Sequence, residues 1–178
     1  RSFGAKGDGH TDDHAPMQRA VVAAYQRKLA LYIPSGRYLL SSPVVLALHN
    51  AALSDGRDDY PKAQPTYGPL RVFGDGMFNS VLVAGAPMAA VVSAPNQTDS
   101  ITFADLFIEG QHHAKVGIDA PNRLTRSTFS SVGVNGTTVA GIRAAGWINR
   151  FEDCLLRTND IGIFLSGFMI SNQVVVAN

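Results

Sequence analysis

Four segments of the sequence share one six-residue pattern: Phe103–Ile108 (FADLFI), Phe129–Val134 (FSSVGV), Phe151–Leu156 (FEDCLL) and Ile170–Val175 (ISNQVV). The shared form is apolar-x-x-apolar-x-apolar, and the starts of the segments are 26, 22 and 19 residues apart. A Gly-Ile pair follows each of the first three segments, at residues 117–118, 141–142 and 162–163, with spacings of 24 and 21. Two landmarks that recur in the same order, at intervals that shorten together, predict a structural repeat of about 20 to 26 residues.

The repeat unit holds two or three short apolar runs and no helical pattern, which is the form of one coil of a parallel β-helix. In such a solenoid the coils stack at about 4.8 Å, and the apolar positions of each repeat point into a shared interior. Leucine-rich repeats have a similar length, but their Leu/Asn consensus is missing here. A β-sandwich predicts turns about every ten residues and no paired landmarks. We therefore predict an all-β fold whose coils form a parallel β-helix.

One amphipathic helix of about fourteen residues is predicted upstream of the coils. Asp13 is the best candidate for its N-cap, and Pro16 then falls inside the first turn, where its missing N–H does no harm. Its apolar face continues to Lys28 at i, i+3 and i+4 spacing. The apolar members of that face are Met17, Ala20, Val21 and Ala24. Short strand-like runs begin at residue 31 and resume at residue 70, after a polar loop.

The 178-residue chain carries few charges for its length, since 16% of its residues are Asp, Glu, Lys or Arg and its formal net charge is +1. A net charge near zero argues against a nucleic-acid partner and against a polybasic membrane surface. The single cysteine excludes an internal disulfide and a cysteine-based zinc site. No apolar run reaches the ~20 residues that a membrane-spanning helix needs, so we expect no membrane insertion.

The opening segment Phe3–Val21 (FGAKGDGHTDDHAPMQRAV), together with Leu31–Leu40 (LYIPSGRYLL), resembles the start of the pectate-lyase-like right-handed parallel β-helix superfamily. That superfamily opens with FGAxGDGxTDD, continues with a capping helix that contains IQxA, and then reads VxxPxGxY. The later segment Val72–Leu82 (VFGDGMFNSVL) is similar to its GxGxxxTxL rung. Two positions depart from the pattern: Ser2 stands where an Asp usually precedes the Phe, and Met17 replaces the usual Ile.

The resemblance implies an all-β, right-handed parallel β-helix (solenoid) with an N-terminal capping α-helix. It implies a single β-helix domain over residues 1–178, with the N-terminal loop and capping helix in 1–29 and the coils in 30–178. It also assigns Asp12 and Asp13 to anchoring the helix, with a carboxylate pair or a calcium site as the alternative. Family members usually run to several hundred residues, and no cap follows Val176. We therefore expect a truncated domain that is continued or capped by further chain or by a partner subunit.

Two classes of function follow from the resemblance. In the first, the chain is the N-terminal part of an extracellular carbohydrate-active protein that acts on or binds a polysaccharide, as a glycoside hydrolase, polysaccharide lyase or epimerase. In the second, it is a non-catalytic structural or adhesive module of a larger assembly, such as a phage tailspike or an extracellular filament. Both classes predict a secreted protein or a location on the virion surface.

Asp105 and Asp153 are the candidate catalytic residues. Aligning the repeats places Asp105, Ser131, Asp153 and Asn172 in one column, with the two aspartates two coils, or about 9.6 Å, apart. An inverting pair of carboxylates is separated by roughly 6.5–9.5 Å, so this separation lies near the upper end of that range. The alternative is that these residues are polar bend residues that hydrogen-bond to their own backbone.

Asp119, Arg143 and Arg157 are the candidate substrate-binding residues. Asp119 and Arg143 follow the Gly-Ile landmark in neighbouring repeats, where they form either a surface ion pair or a site for a sugar acid. Arg157 belongs to a second outward column, which begins at Glu109.

No cofactor and no metal site are expected. His112 and His113 are adjacent, so they cannot share one face of a strand, and no carboxylate partner lies at metal-ligand spacing. The acidic loop over residues 55–59 suits calcium only weakly. Cys154 aligns with inward positions of the other repeats and is interpreted as a small core residue.

Overall fold

The computed structural model describes residues 2–46, 70–95, 98–166 and 173–174. In chain order these residues form β1 (Asp8–Asp12), α1 (His14–Arg27), β2 (Leu31–Ile33), β3 (Gly36–Leu40), β4 (Val44–Val45), β5 (Leu70–Gly74), β6 (Ser80–Ala84), β7 (Met88–Ser93), β8 (Thr98–Asp99), β9 (Ile101–Glu109), β10 (Ala114–Thr125), β11 (Thr128–Asn135), β12 (Ala140–Trp147), β13 (Arg150–Glu152), β14 (Leu155–Arg157), β15 (Ile161–Ser166) and β16 (Gln173–Val174). The predicted polar loop at 50–69, with its acidic segment 55–59, lies outside the described residues.

Within the described residues the strands form two parallel sheets. Sheet A has ten strands, with β1-β3-β6-β9-β11-β13-β16 as its main path and β2, β5 and β14 beside it. Sheet B has six strands, in the order β15-β12-β10-β7-β4 with β8 paired to β10. Each coil passes through sheet A and then sheet B before it pairs with the coil below, and such crossovers are right-handed. The predicted right-handed parallel β-helix is confirmed.

The repeat landmarks pair directly with one another. Phe129 pairs with Phe103 on one side and Phe151 on the other, and the three Gly-Ile pairs lie in one register across β10, β12 and β15. The fourth copy of the pattern is different, because Val174, and not Ile170, pairs with Phe151. The alignment of Ile170 with Phe151 is therefore wrong. Asn172, which the sequence places in the column of Asp153, lies outside the described residues.

The interior is an apolar stack that runs through the coils. The rings of Phe103, Phe129 and Phe151 lie nearly parallel, with centroids 5.3 and 4.7 Å apart, and all three are buried. Ser127 and Asn149 are two of the buried polar residues, and their side chains bond to neighbouring backbone groups. Among the described residues, every buried side-chain nitrogen and oxygen has a hydrogen-bond partner. Such satisfaction is what burial in a low-dielectric core requires.

Helix α1 closes one end of this interior. Its face of Met17, Ala20, Val21 and Ala24 is buried in the main core cluster, as predicted. The side-chain amide of Gln18 donates to the carbonyl of Val45 at 2.9 Å and accepts from the N–H of Val45 at 2.8 Å. These two bonds replace the ones that a neighbouring strand would make with β4. Lys28, predicted on the apolar face, is exposed and instead ends the helix in a left-handed conformation with φ 53°.

The opening motif holds the helix through its carboxylates. Asp13 occupies the N-cap position, but its side chain caps no helical N–H. It is fully buried and accepts from the backbone N–H groups of Lys6 and Gly7 at 2.6 and 2.8 Å. Asp12 accepts from the N–H of His14 instead. Residues 8–12, which the sequence places in a loop, form β1 and pair with β3.

Acid is expected to loosen this N-terminal anchor. Hydrogen bonds from the Ser41 hydroxyl, and then from the backbone N–H of His14, lower the pKa of Asp12 below its usual 3.8. A carboxyl whose pKa is depressed by folding stabilises the fold above its unfolded pKa, and that stabilisation is lost as the pH falls through the folded value. We expect the Tm of Asp12→Asn to fall less than that of the wild type between about pH 5 and pH 2. Thermal unfolding followed by circular dichroism measures this.

Ser41→Ala provides the matched variant, because it removes the largest of these hydrogen bonds and keeps the carboxylate. It is expected to reduce the acid sensitivity in the same direction and by a smaller amount. Equal losses of Tm in all three proteins would contradict the assignment.

Candidate functional site

A bend interrupts the pairing of β9 with β11 and separates β13 from β14, and the predicted column of carboxylates lies at this bend. Asp105, Ser131 and Asp153 have φ angles of 56°, 52° and 52°. The residues on both sides of the bend are paired. Ala104 pairs with Ser130 before it, and Leu106 pairs with Val132 after it. The structure therefore places Asp105 and Asp153 two coils apart with Ser131 between them, as the repeats predicted.

The left-handed conformation explains why short polar residues recur at the bend. Asp, Asn and Ser tolerate a positive φ better than other L-residues, because their side chains hydrogen-bond locally. Asp153 is exposed and Asp105 is half-buried. Within the part of the chain that the structure describes, no hydrogen bond or ion pair engages either carboxylate. Both groups can therefore accept a proton or bind a ligand from the outer surface.

Arg157 lies on the second segment of sheet A, after the bend. It pairs in register with Asn135, which pairs with Glu109, so the predicted column exists. Glu109 is already neutralised by an ion pair with Arg37 on β3. Arg157 is exposed, carries the positive charge of this column and lies four residues after Asp153 in the sequence.

Asp119 and Arg143 form a two-point ion pair on sheet B. The Arg143 Nε and Nη2 atoms each donate to one carboxylate oxygen of Asp119, both at 2.6 Å. The side chain of Asp119 is 9% exposed and that of Arg143 is 37% exposed. The hydrogen bond with Asp119 raises the pKa of the Arg143 guanidinium. Asp119 therefore fixes the orientation of a permanently charged guanidinium at the outer surface of sheet B.

The backbone beside this pair is irregular. Between paired positions, β10 runs from Ala120 to Leu124 while β12 runs only from Ala144 to Gly146. The two extra residues of β10 make its coil protrude next to Asp119. The five predicted site residues thus lie at three places: Asp105 and Asp153 at the bend, Arg157 beyond it on sheet A, and Asp119 with Arg143 on sheet B.

A further set of outward-facing residues was not predicted from the sequence, and among them Tyr32, Arg71 and Arg150 are exposed. It lies on the outer surface of sheet A before the bend, where one column of five residues runs beside a column of four. We call this surface the outer shelf. One column contains Tyr32, Phe73, Ala104, Ser130 and Glu152, and the other contains Arg71, Thr102, Thr128 and Arg150. The repeat pattern begins only at residue 103, so it gives no register for β2 and β5. Alternation within β2 and β5 is the one signal that places Tyr32, Phe73 and Arg71 outward.

The structure also describes the cysteine and the adjacent histidines that the sequence analysis considered. Cys154 packs against the core, and burial raises the pKa of its thiol, which fits a packing residue and not a nucleophile. His113 lies close to the Ala84 carbonyl, with its ring Nδ1 at 3.2 Å. No group of three or more His, Cys, Asp or Glu residues in the described ranges is arranged to hold a metal ion. Likewise, no helix of those ranges is long and apolar enough to cross a membrane.

Comparison with protein families assigns the class to which this fold and surface belong. The family described as rhamnogalacturonase A/epimerase, pectate lyase-like, matches the chain over residues 1–178. The chain therefore belongs to this pectate-lyase-like family, and the resemblance of its opening segment is confirmed. No curated protein sequence matches the chain.

Solved structures with the same fold include an epimerase module. The A-module of mannuronan C-5 epimerase AlgE4 from Azotobacter vinelandii is 19% identical, with a TM-score of 0.63, over 92% of this chain and 52% of that one. The Agl-KA catalytic domain is 16% identical, with a TM-score of 0.63, over 93% of this chain and 34% of that one. ORF18 of Geobacillus virus E2 is 16% identical, with a TM-score of 0.59, over 85% and 30%. At these identities the likeness establishes the fold alone, and the chain spans about half of the epimerase module.

Proposed function

We propose that the chain is part of an extracellular enzyme that acts on an acidic polysaccharide. The observation that carries the proposal is the column of Asp105 and Asp153, whose carboxylates lie at the outer surface with no partner among the described residues. General acid–base chemistry on a polymer needs such groups on nearby coils, within reach of one bound sugar chain. Family membership over residues 1–178 and the fold shared with a mannuronan epimerase module support a polysaccharide as the substrate.

Asp153 is the exposed member of the pair and is proposed as the general acid or base, with Asp105 as the second carboxylate. Two coil spacings separate them by about 9.6 Å. This separation leaves room for a water molecule, as in an inverting hydrolase, and is far longer than the roughly 5–5.5 Å of a retaining pair. A lyase or an epimerase needs only one of the two groups to remove the proton next to the sugar carboxylate.

The cations are proposed to bind the acid groups of the substrate. Arg157 projects beyond the bend from the strand that follows Asp153. Arg143 is held by Asp119 on sheet B, so a second segment of the polymer, or an adjacent chain, meets a fixed guanidinium there. A guanidinium close to a uronate carboxylate also stabilises the negative charge that develops when the adjacent proton leaves.

Asp153→Asn tests this proposal. Removing a general acid or base typically lowers turnover by about 10²–10⁴-fold, and we expect a loss of at least about a hundredfold. A panel of acidic and neutral polysaccharides is assayed for new reducing ends, for the ultraviolet absorbance of an unsaturated product and for epimerised residues by NMR. These three readouts separate hydrolase, lyase and epimerase. Asp160→Asn, which changes another exposed aspartate of the same coil, is the matched control.

Unchanged turnover in Asp153→Asn would remove this residue from the mechanism. Absence of turnover on every polymer would favour the second class, a non-catalytic β-helix module in a phage tailspike or an extracellular filament. Two observations favour that alternative: the fold is shared with a virus protein, and the positive φ angles give Asp105 and Asp153 a purely structural reason to be short and polar. In either case we propose that the protein lies outside the cell or on a virion.

A further inference from the structure

Asn135 and Gly136 form an Asn-Gly pair at the end of β11 that the proposed function does not use. We propose that Asn135 is a site of deamidation, in which the backbone nitrogen of Gly136 displaces the side-chain amide of Asn135 as ammonia. The reaction is spontaneous, and the inference does not depend on the proposed function. Its product carries a carboxylate where the chain as synthesised carries an amide.

The turn after β11 places a glycine directly behind this asparagine. Gly136 has a φ of 69°, in the left-handed region that favours glycine. A glycine has no side chain beside its nitrogen, so the carbon of a neighbouring amide approaches that nitrogen with little steric hindrance. Glu109 and Arg157 pair in register with Asn135 and precede the same turn in the adjacent coils. Of these three coils, only that of Asn135 joins an amide side chain to the turn.

The side-chain amide of Asn135 is free to rotate. It is half-buried and, within the ranges that the structure describes, makes no hydrogen bond. Asn79 and Asn122 each donate to a backbone carbonyl, at 3.2 and 2.7 Å. Asn149 and Asn159 each both donate and accept. Ring closure turns the side chain towards the next backbone nitrogen, so these bonded asparagines must first lose hydrogen bonds that Asn135 does not have.

A long hydrogen bond holds the attacking nitrogen. The Gly136 N–H donates to the Arg157 carbonyl at 3.3 Å, whereas the equivalent Gly110 N–H of the previous coil donates to the Asn135 carbonyl at 2.8 Å. Protein N–H···O bonds usually span roughly 2.7–3.2 Å, so the bond of Gly136 is a weak one. Arg157 is also the last residue of β14, a strand of three residues. Local opening at the end of β14 therefore releases the buried Gly136 nitrogen for attack.

The reaction needs water as its only co-reactant. The Gly136 nitrogen forms a bond to Cγ of Asn135, the bond from Cγ to Nδ2 breaks, and ammonia leaves with the proton of the Gly136 N–H. The five-membered imide then takes up one water molecule and opens at either carbonyl, and no group is oxidised or reduced. Opening at Cγ gives aspartate. Opening at the backbone carbonyl gives isoaspartate, in which the main chain runs through Cγ.

Both products change the surroundings of Arg157. Aspartate places a carboxylate one coil spacing, about 4.8 Å, from Arg157 in the same column. Arg157 forms no ion pair among the described residues, while Glu109 on the other side is already paired with Arg37, so the new carboxylate neutralises Arg157. Isoaspartate lengthens the main chain at the end of β11, which disrupts the bonds that Asn135 and Gly136 make to the adjacent coils.

Peptide mapping of the full 178-residue chain tests this inference. The folded protein is incubated at mildly alkaline pH, below its Tm, and is then cleaved with trypsin after Lys and Arg. Three of the expected peptides contain a single asparagine each: Ser127–Arg143 with Asn135, Val116–Arg123 with Asn122, and Ala144–Arg150 with Asn149. We expect the peptide of Asn135 to convert to aspartate and isoaspartate forms several times faster than either control peptide. The rate rises with pH, because the Gly136 nitrogen must lose its proton.

Asn135→Gln is the matched variant, since it keeps an amide but requires a larger ring for the same attack. Its peptide is expected to stay unchanged over the time in which the wild type converts. Equal conversion of the three wild-type peptides, or an intact Asn135 after either control has changed, would overturn the inference. Aspartate without isoaspartate would exclude attack by the Gly136 nitrogen. Conversion that occurs only in denaturant would also overturn the inference, because the modification is inferred for the folded chain.

Discussion

Phe129→Ala is expected to lower the free energy of unfolding by about 3–5 kcal/mol. Phe129 is 1% exposed, and its ring lies between those of Phe103 and Phe151 at 5.3 and 4.7 Å. Truncation removes a large apolar side chain from a rigid stack whose members are held by paired backbones on both sides. The neighbouring coils cannot move together to fill the space, because the parallel hydrogen bonds set their separation. A cavity therefore remains, and its cost adds to the lost burial.

Equilibrium unfolding in denaturant measures this change, and Phe164→Ala is the matched control. Phe164 lies on a strand of the same β-helix but is 43% exposed. Its truncation leaves no internal cavity and is expected to change the unfolding free energy by less than about 1 kcal/mol. Similar losses of unfolding free energy in the two variants would show that the buried aromatic stack stabilises the fold no more than an exposed ring does.

Gly117→Ala is expected to destabilise the fold by about 1–3 kcal/mol, although it adds only one methyl group. A Cβ atom at this position would lie 2.4 Å from the Val134 Cγ1 atom and 2.6 Å from the carbonyl oxygen of Gly141. Val134 is fully buried, and the Gly141 oxygen belongs to the backbone of the next coil. Relief of the second contact requires the two coils to separate, which stretches the hydrogen bonds between β10 and β12.

Gly162→Ala is the control for this second prediction, because Gly162 is the equivalent residue of a later coil. A Cβ atom there would lie 3.6 Å from Leu156 Cδ1, which is an ordinary contact. We expect this substitution to be neutral or to stabilise by up to about 1 kcal/mol, since alanine restricts the unfolded chain more than glycine does. Thermal and denaturant unfolding of both variants measure the difference. If Gly117→Ala were as stable as Gly162→Ala, the close packing at β10 would be excluded as the reason for glycine.

The registers of the regular coils could be predicted from the sequence because parallel strands stack equivalent residues directly above one another. For this reason the sequence alone predicts the columns of Asp105, of Asp119 with Arg143, and of Arg157. It does not predict the register of the last described strand, because the repeat pattern gives Gln173 an inward position. Val174 pairs with Phe151 instead, and Gln173 pairs with Arg150.

The repeat pattern of the sequence does not predict features that depend on the path of the chain between repeats. Asp13 bonds to Lys6 and Gly7 because the opening loop returns over the helix, a path that spacing alone does not indicate. Phe107 points outward and yet is buried, because the turn before β6 brings Phe78 against its ring at 5.4 Å. The pairing of Tyr32 with Phe73 on the outer shelf is not predicted for a related reason: β2 and β5 are far apart in sequence and precede the first clear repeat.

The hydrogen bonds between Gln18 and Val45 occupy backbone groups at the open edge of β4. A bare first coil would offer its N–H and C=O groups to a strand of any other chain, and the spacing that stacks coils within one molecule would also stack molecules into a filament. One amide side chain imitates the missing strand over a single residue, and the helix covers the apolar opening beside it. At the β4 edge of sheet B the β-helix therefore resists acting as a template for the strand of another chain.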